Sequence, residues 1–255
     1  MTPPLPARPG RDRPALLAVL GVLGTAQFLK DRLPRAAGVP VSVAAAGAVL
    51  ALGHRAGLRR SDIGLSPAAA RRGLRDGGAA ACAVAALYGA GAALPATRPL
   101  FADRRAAPTL PGVLRQALVD VPLGTVLLEE AGFRGVLPAL LRPRYGQARA
   151  HATAAALFGL WHVLPATALP RANPALARAS TAGGTPSTAA TAAGNVLATG
   201  AAGVLFAALR HRSGSLVAPA LLHTALNSLG FLAAHLVNRP RTPGTRPGAP
   251  PTARR

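Results

Sequence analysis

Cysteine is almost absent, and the single Cys82 excludes an intramolecular disulfide framework and any cysteine-built zinc cluster. Acid is nearly as scarce: 8 Asp and Glu stand against 29 Lys and Arg in 255 residues, a formal net charge of +21. Aromatic residues are only 4% of the chain, so the arginines lack the interleaved rings on which single-stranded nucleic acid would stack, and no nucleic-acid partner is expected. Charged residues reach only 15%, where a soluble enzyme carries about a quarter. Lysine occurs once, as Lys30, and the bias toward Ala, Gly, Pro and Arg reads in part as GC-rich coding. The basic balance alone is therefore given no functional weight.

What the chain does have is apolar length. Half of its residues are hydrophobic, gathered into stretches of about 17 to 25 residues between short Arg-rich segments, the layout of a polytopic membrane protein. The expected fold is an all-α helical bundle of about seven spans, at 14–29, 36–53, 77–97, 110–141, 147–169, 191–209 and 215–237. The first run is short and its basic start resembles a cleaved signal peptide, but a second apolar run follows almost at once and two spans are preferred. Lys30, Asp31, Arg32 and Arg35 are expected to hold the end of the first span at the headgroups. Residues 1–13 and 238–255 read as disordered Pro/Arg-rich tails around a bundle at 14–237, whose candidate core is 110–237.

Two connecting segments stand out. Residues 54–76 hold six Arg together with Leu58, Ile63, Leu65 and Leu74, and read as an interfacial connector against charged headgroups. Residues 170–190 read as a low-complexity loop with nothing to bury. The Ala and Gly of 77–97 suit close helix packing in lipid. With the C-terminal tail left out, the distribution of arginines favours a cytoplasmic N-terminus.

The candidate chemistry lies in the apolar segments. The only two glutamates, Glu129 and Glu130, are neighbours well inside one of them, where an ionisable group is costly unless paired or hydrated. Glu130 and Arg134 are four residues apart with the acid first, the favourable order for a helical ion pair. Glu129 lies about 100° round the helix from Glu130, so one carboxylate can be neutralised while the other faces something else. A buried structural ion-pair cluster explains these residues as well as a functional site does. Phe158 and His162 share a face of the next helix, as do His223 and Asn227 on the last. A lone histidine there is more often satisfied by a backbone or hydroxyl partner; two beside a carboxylate pair are harder to explain so. His54, His151, His211 and His235 lie near helix ends and read as interfacial. Asp120 receives no role.

Glu129-Glu130-Ala-Gly-Phe-Arg134, Phe158-Gly-Leu-Trp-His162 and His223-Thr-Ala-Leu-Asn227 resemble, in order and on three helices, the EExxxR, FxxxH and HxxxN motifs of the CPBP intramembrane protease family. That family includes CAAX prenyl endopeptidases and many bacterial Abi-type proteins. GLRRSDIGL (57–65) also looks like the family's upstream Arg-rich stretch. The resemblance implies that Glu129 and His162 activate a water, that His223 and Asn227 stabilise the oxyanion, and that Glu130 and Arg134, with Phe158, support the site. Peptide hydrolysis does need a base for water and donors at the developing oxyanion. Two histidines and a carboxylate (Glu129, His162, His223) can hold zinc with an open position for water, which would make this a metalloprotease. A metal-free mechanism fits the same residues, and no HExxH motif is present.

The implied activity is an intramembrane endopeptidase of a bacterial cytoplasmic membrane, acting on a membrane-associated peptide or protein with the lipid bilayer as its other partner. Two other classes remain beside it. One is a non-catalytic membrane protein of the same fold that binds a peptide or protein. The other is a small transporter with Glu129, His162 and His223 as a proton relay, disfavoured because no inverted repeat is seen.

Overall fold

The computed structural model describes residues 12–181 and 187–239, which are helical with no strand among them. The tails expected at 1–13 and 238–255 lie almost wholly outside the described residues. Helices α1 (Asp12–Arg32), α2 (Gly38–Arg55) and α3 (Pro67–Ala93) come first. A long helical run at 110–145, α4, follows. The helix Leu137–Trp161 loses helical geometry at Gly146 (φ 76°, ψ 168°), which separates α4 from α5 at 147–161. Such a φ favours glycine, and the break falls between the segments expected at 110–141 and 147–169. Helices α6 (Thr188–Ser213) and α7 (Val217–Asn238) complete the bundle. Ser187 caps α6 by accepting from Ala190 N at 3.1 Å, and the left-handed Gly214 ends it.

Helix α4 is the irregular one, as its charged middle suggests. Its hydrogen bonds slip to π register at Gln116–Asp120, Pro122–Val126 and Ala131–Val136, leaving a short α-turn at Leu127–Glu130. π-turns release carbonyls, and other helices satisfy them. Ser228 Oγ of α7 donates to Ala117 O at 2.7 Å, while Ser42 Oγ and Lys30 Nζ both donate to Gly124 O at 2.6 and 2.7 Å. Lys30, at the end of the first apolar run, is thus bonded to a carbonyl of α4.

Among the described residues four helices are long and apolar enough to cross a membrane: Arg13–Arg32, Arg35–Arg55, Thr188–Ser213 and Val217–Asn238. Their outward faces are apolar. Leu17, Val43, Leu197 and Leu236 are 69%, 43%, 75% and 59% exposed, surface that water would penalise and acyl chains would not. The chain is an all-α integral membrane protein. The expected count of seven spans is not reached by these four. Helix α3 opens with Arg71, Arg72, Arg75 and Asp76, and α4 carries its charges at mid-length.

Ion pairs show which loops share a rim. Asp62 of the 54–66 connector meets Arg142 at 3.1 Å, and its carbonyl accepts from Arg210 Nη2 at 3.3 Å. Asp76 meets Arg75 at 2.9 Å and Arg212 at 3.8 Å. The connector, the α4–α5 corner and the end of α6 are thus on one side.

The segment 170–190 departs from the expected loop. Short helices run over Leu169–Ala172 and Pro174–Ser180, and residues 182–186 lie outside the described residues. Asn173 explains the difference. Only 2% exposed, it accepts from Leu176 N at 3.0 Å as the cap of the second helix and donates to Leu100 O at 2.7 Å. Asn followed by Pro is a cap and first-turn pair, a start signal hidden in a low-complexity composition.

Small residues set the helix spacing. A Cβ at Gly77 of α3 would lie 2.8 Å from both Cα and O of Ala218 on α7, whereas one at Gly78 would meet nothing within 4 Å. Gly77→Ala is expected to cost about 1–3 kcal/mol by overpacking, and Gly78→Ala close to nothing. Thermal unfolding of both in detergent tests this close approach, and equal midpoints would refute it.

Candidate active site

The α-turn Leu127–Glu130 between two π segments presents both carboxylates to the interior, with Glu129 3% and Glu130 2% exposed. They close on one imidazole from α7. Glu130 Oε1 accepts from His223 Nδ1 at 2.8 Å, and Glu129 Oε2 lies 3.7 Å from Nε2 of the same ring. Glu130 Oε1 is also 3.3 Å from Arg134 Nη1, the ion pair that the four-residue spacing predicts. Glu129 Oε1 accepts from the indole Nε1 of Trp161 at 3.0 Å.

Arg134 is 2% exposed, and rings close around it. Its Cζ lies 3.8 Å from the ring centroid of Phe158 and 4.6 Å from that of Phe206. Phe206 in turn stacks on His223 at 4.9 Å, and Phe133 meets Phe158 and Trp161 edge-on at 5.4 and 5.5 Å. Three of the six phenylalanines and the only tryptophan thus surround the charges. A desolvated cation over an aromatic face gains about 2 kcal/mol or more, a partial substitute for lost water.

His162 stands at the edge of this cluster. Its Nδ1 bonds Phe158 O at 2.8 Å; a carbonyl only accepts, so Nδ1 carries the hydrogen and the neutral ring keeps its lone pair on Nε2. The ring packs edge-on to Phe158 at 4.6 Å, and the backbone carbonyl of His162 accepts from Asn195 Nδ2 at 3.3 Å. No hydrogen bond or ion pair joins His162 to Glu129 or His223. The expected fifth helix, through 169, instead breaks at His162 (φ −89°, ψ 5°) and restarts at Val163–Thr167. Pro165 is the reason: it has no amide hydrogen and its ring crowds the carbonyl four residues back. Asn227, one turn beyond His223, is half-buried with no side-chain hydrogen bond among the described residues.

Glu129, Glu130, Arg134, Phe158 and His223 therefore form one buried cluster, with His162 and Asn227 beside it. Trp161, Phe206 and Asn195 go unnoticed in the sequence reading. Trp161 had a signal, being the sole tryptophan and adjoining His162; Phe206 and Asn195 had none.

The three candidate metal ligands do not converge. Among the described residues no three His, Cys, Asp or Glu side chains are grouped to hold a metal ion. The hydrogen bonds of His223 Nδ1, Glu129 Oε1 and His162 Nδ1 leave one donor atom on each residue, and it is the lack of a common point among those atoms that decides. A zinc site needs three such atoms each about 2.0–2.2 Å from one point. This arrangement does not meet that need, and no step below is routed through a metal.

Residues 112–229 match the family described as Type II CAAX prenyl endopeptidase Rce1-like. The chain carries an Rce1-like core. The match contains all seven residues of the three motifs, so the resemblance read from them holds at the level of the family, which is one of CAAX-type membrane proteases. No curated protein and no solved structure matches the chain.

In this Rce1-like core Arg134 neutralises Glu130 where water cannot. Arg134→Ala strands a carboxylate and is expected to cost about 3–5 kcal/mol, whereas removing both charges in Glu130→Gln with Arg134→Met should cost less. Folded yield and unfolding midpoint of the three proteins check this. A double variant that costs as much as Arg134→Ala, or more, would overturn the pairing.

Proposed function

We propose that the protein is an intramembrane endopeptidase of a bacterial cytoplasmic membrane, hydrolysing a peptide bond in a membrane-associated peptide or protein with water activated by Glu129 and His162. The observation that carries this reading is the buried Glu129, whose Oε2 has no hydrogen-bond partner and faces His223 Nε2 at 3.7 Å while Trp161 holds Oε1. One carboxylate oxygen is thus oriented and the other is left to act.

In the proposed reaction the water oxygen attacks the scissile carbonyl carbon and its proton passes to Glu129, assisted by the lone pair on His162 Nε2. The proton then goes to the leaving amine as the carbon–nitrogen bond breaks. The oxyanion accepts from the Asn227 amide and from His223. Donation by His223 requires a proton on Nε2 as well as the one shared with Glu130, hence an imidazolium. Two carboxylates, one guanidinium and one imidazolium then sum to zero charge, the balance a low-dielectric interior favours. Glu130 and Arg134 hold the ring in place.

A non-catalytic peptide-binding protein of the same fold is the second reading. The separation of His162 from Glu129 favours it. Cleavage of membrane-tethered peptides by purified protein decides between the two. Glu129→Ala and His162→Ala are expected to abolish cleavage while the protein still inserts, and a Glu129→Ala protein as active as wild type would overturn the assignment of the base.

The oxyanion role has its own signature. Asn227→Ala is expected to lower kcat about 10²–10³-fold with little change in KM. Zinc dependence is read in the same assay with chelator and by elemental analysis. A stoichiometric metal lost in His223→Ala but kept in Asn227→Ala would replace the oxyanion role of His223 by a ligand role.

A further inference from the structure

Away from the buried cluster, the end of α2 and the connector between α2 and α3 line a half-open cavity of about 560 Å³. Its wall is apolar, from Leu50, Leu58 and Ile63, and its mouth is basic, from His54, Arg59 and Arg60. Both arginine side chains are exposed, and neither has an acidic partner among the described residues. The one acid of the connector, Asp62, pairs with Arg142 at 3.1 Å and accepts from the backbone N–H of Arg59 at 2.9 Å, so a single, already paired carboxylate stands beside a mouth that carries two guanidinium groups.

The cavity is also held in shape. Gly57 (φ 90°) and Gly64 (φ 81°) make the two turns of the connector, and Gly64 O accepts from Leu216 N at 2.8 Å at the start of α7. Asp62 fastens the segment to the corner of α4, and Ile63 backs onto Gly135 beside Arg134, where a Cβ would lie 3.6 Å from Ile63 O. Two arginine forks at an open mouth suit a phosphate oxygen pair, and the leucine wall below them suits an alkyl chain. The mouth adjoins the charged rim of Asp62, Arg142 and Arg210, the kind of surface that meets lipid headgroups rather than acyl chains. The chain's own tails do not fit, since 1–11 and 240–255 carry arginine and no acid.

We propose that this cavity binds one anionic phospholipid, its phosphate at Arg59 and Arg60 and an acyl chain along Leu50, Leu58 and Ile63. The site is separate from the peptidase reading and its test needs no cleavage. A zwitterionic lipid brings a choline cation against the same arginines and is disfavoured by charge.

The experiment uses the full chain in neutral detergent, titrated with phosphatidylglycerol, phosphatidylcholine or inorganic phosphate, read by thermal midpoint and by intact-complex mass spectrometry. Phosphatidylglycerol alone is expected to give a saturable rise and one retained adduct. Arg59→Gln with Arg60→Gln should weaken it about thirtyfold, from about 1 kcal/mol per arginine at an anionic surface. Arg71→Gln with Arg72→Gln, the same charge change on exposed residues of α3 outside the cavity, should stay within about twofold. Equal weakening by both pairs would reduce the effect to diffuse charge, equal binding of phosphatidylcholine would remove the headgroup role, and inorganic phosphate binding as tightly would make this a free-phosphate site. Each of these overturns the proposal. If the first double variant fails to fold, a photoreactive phosphatidylglycerol on the wild type decides: labelling within 50–65 supports the site, and labelling elsewhere refutes it.

Discussion

Two neighbouring carboxylates and a guanidinium buried in the protein interior impose the central constraint on this protein. Each charge there costs several kcal/mol unless met by an opposite charge or a hydrogen bond. The partners come from separate helices: Arg134 from the following turn, Trp161 from the end of α5, Phe206 from α6 and His223 from α7. Satisfying the glutamates therefore brings four helices to one place, and the same contacts that neutralise charge assemble the candidate active site.

The irregularity of α4 follows from the same demand. In uniform α geometry Glu129 and Glu130 point about 100° apart, yet both reach the ring of His223, one at each nitrogen. The turn that bears them is bounded by π segments, where carbonyls leave the regular ladder and accept from Ser42, Lys30 and Ser228 instead. The polar residues of α1, α2 and α7 that look misplaced in apolar helices are the complement of that slip. The neighbouring helices compensate where α4 gives up its own hydrogen bonds.

Outside the cluster the chemistry is simpler and lies at the rim. Acids there are few, and Asp62, Asp76, Asp103 and Asp120 are each committed to an arginine, so most of the basic charge has no acidic partner among the described residues. Arginines in that position face a bilayer surface, where anionic headgroups provide the missing charge. The apolar cavity beneath Arg59 and Arg60 turns this general attraction into a place of definite shape.

The helical membrane class, the break near Gly146, the Glu130–Arg134 pair and the family were legible in the linear chain, because each rests on apolar length, backbone type, or residues within a turn of one another. The sequence also marked which helices carry chemistry. It did not show what those residues touch. Trp161 and Glu129 are 32 positions apart, and His223 and Glu130 are 93 apart. No spacing rule connects them, since only the packing of α4, α5 and α7 makes them neighbours. That packing gave Glu130, read as support alone, a direct bond to His223, and it left His162 bonded to its own helix. The helical turns at 169–180 were hidden for a similar reason: a single asparagine carries the order there, and its value depends on Leu100, a residue 73 positions earlier. Local periodicity determined which segments are helices and what they carry, and tertiary packing decided which polar groups meet, because a buried charge accepts whatever partner the fold brings within reach.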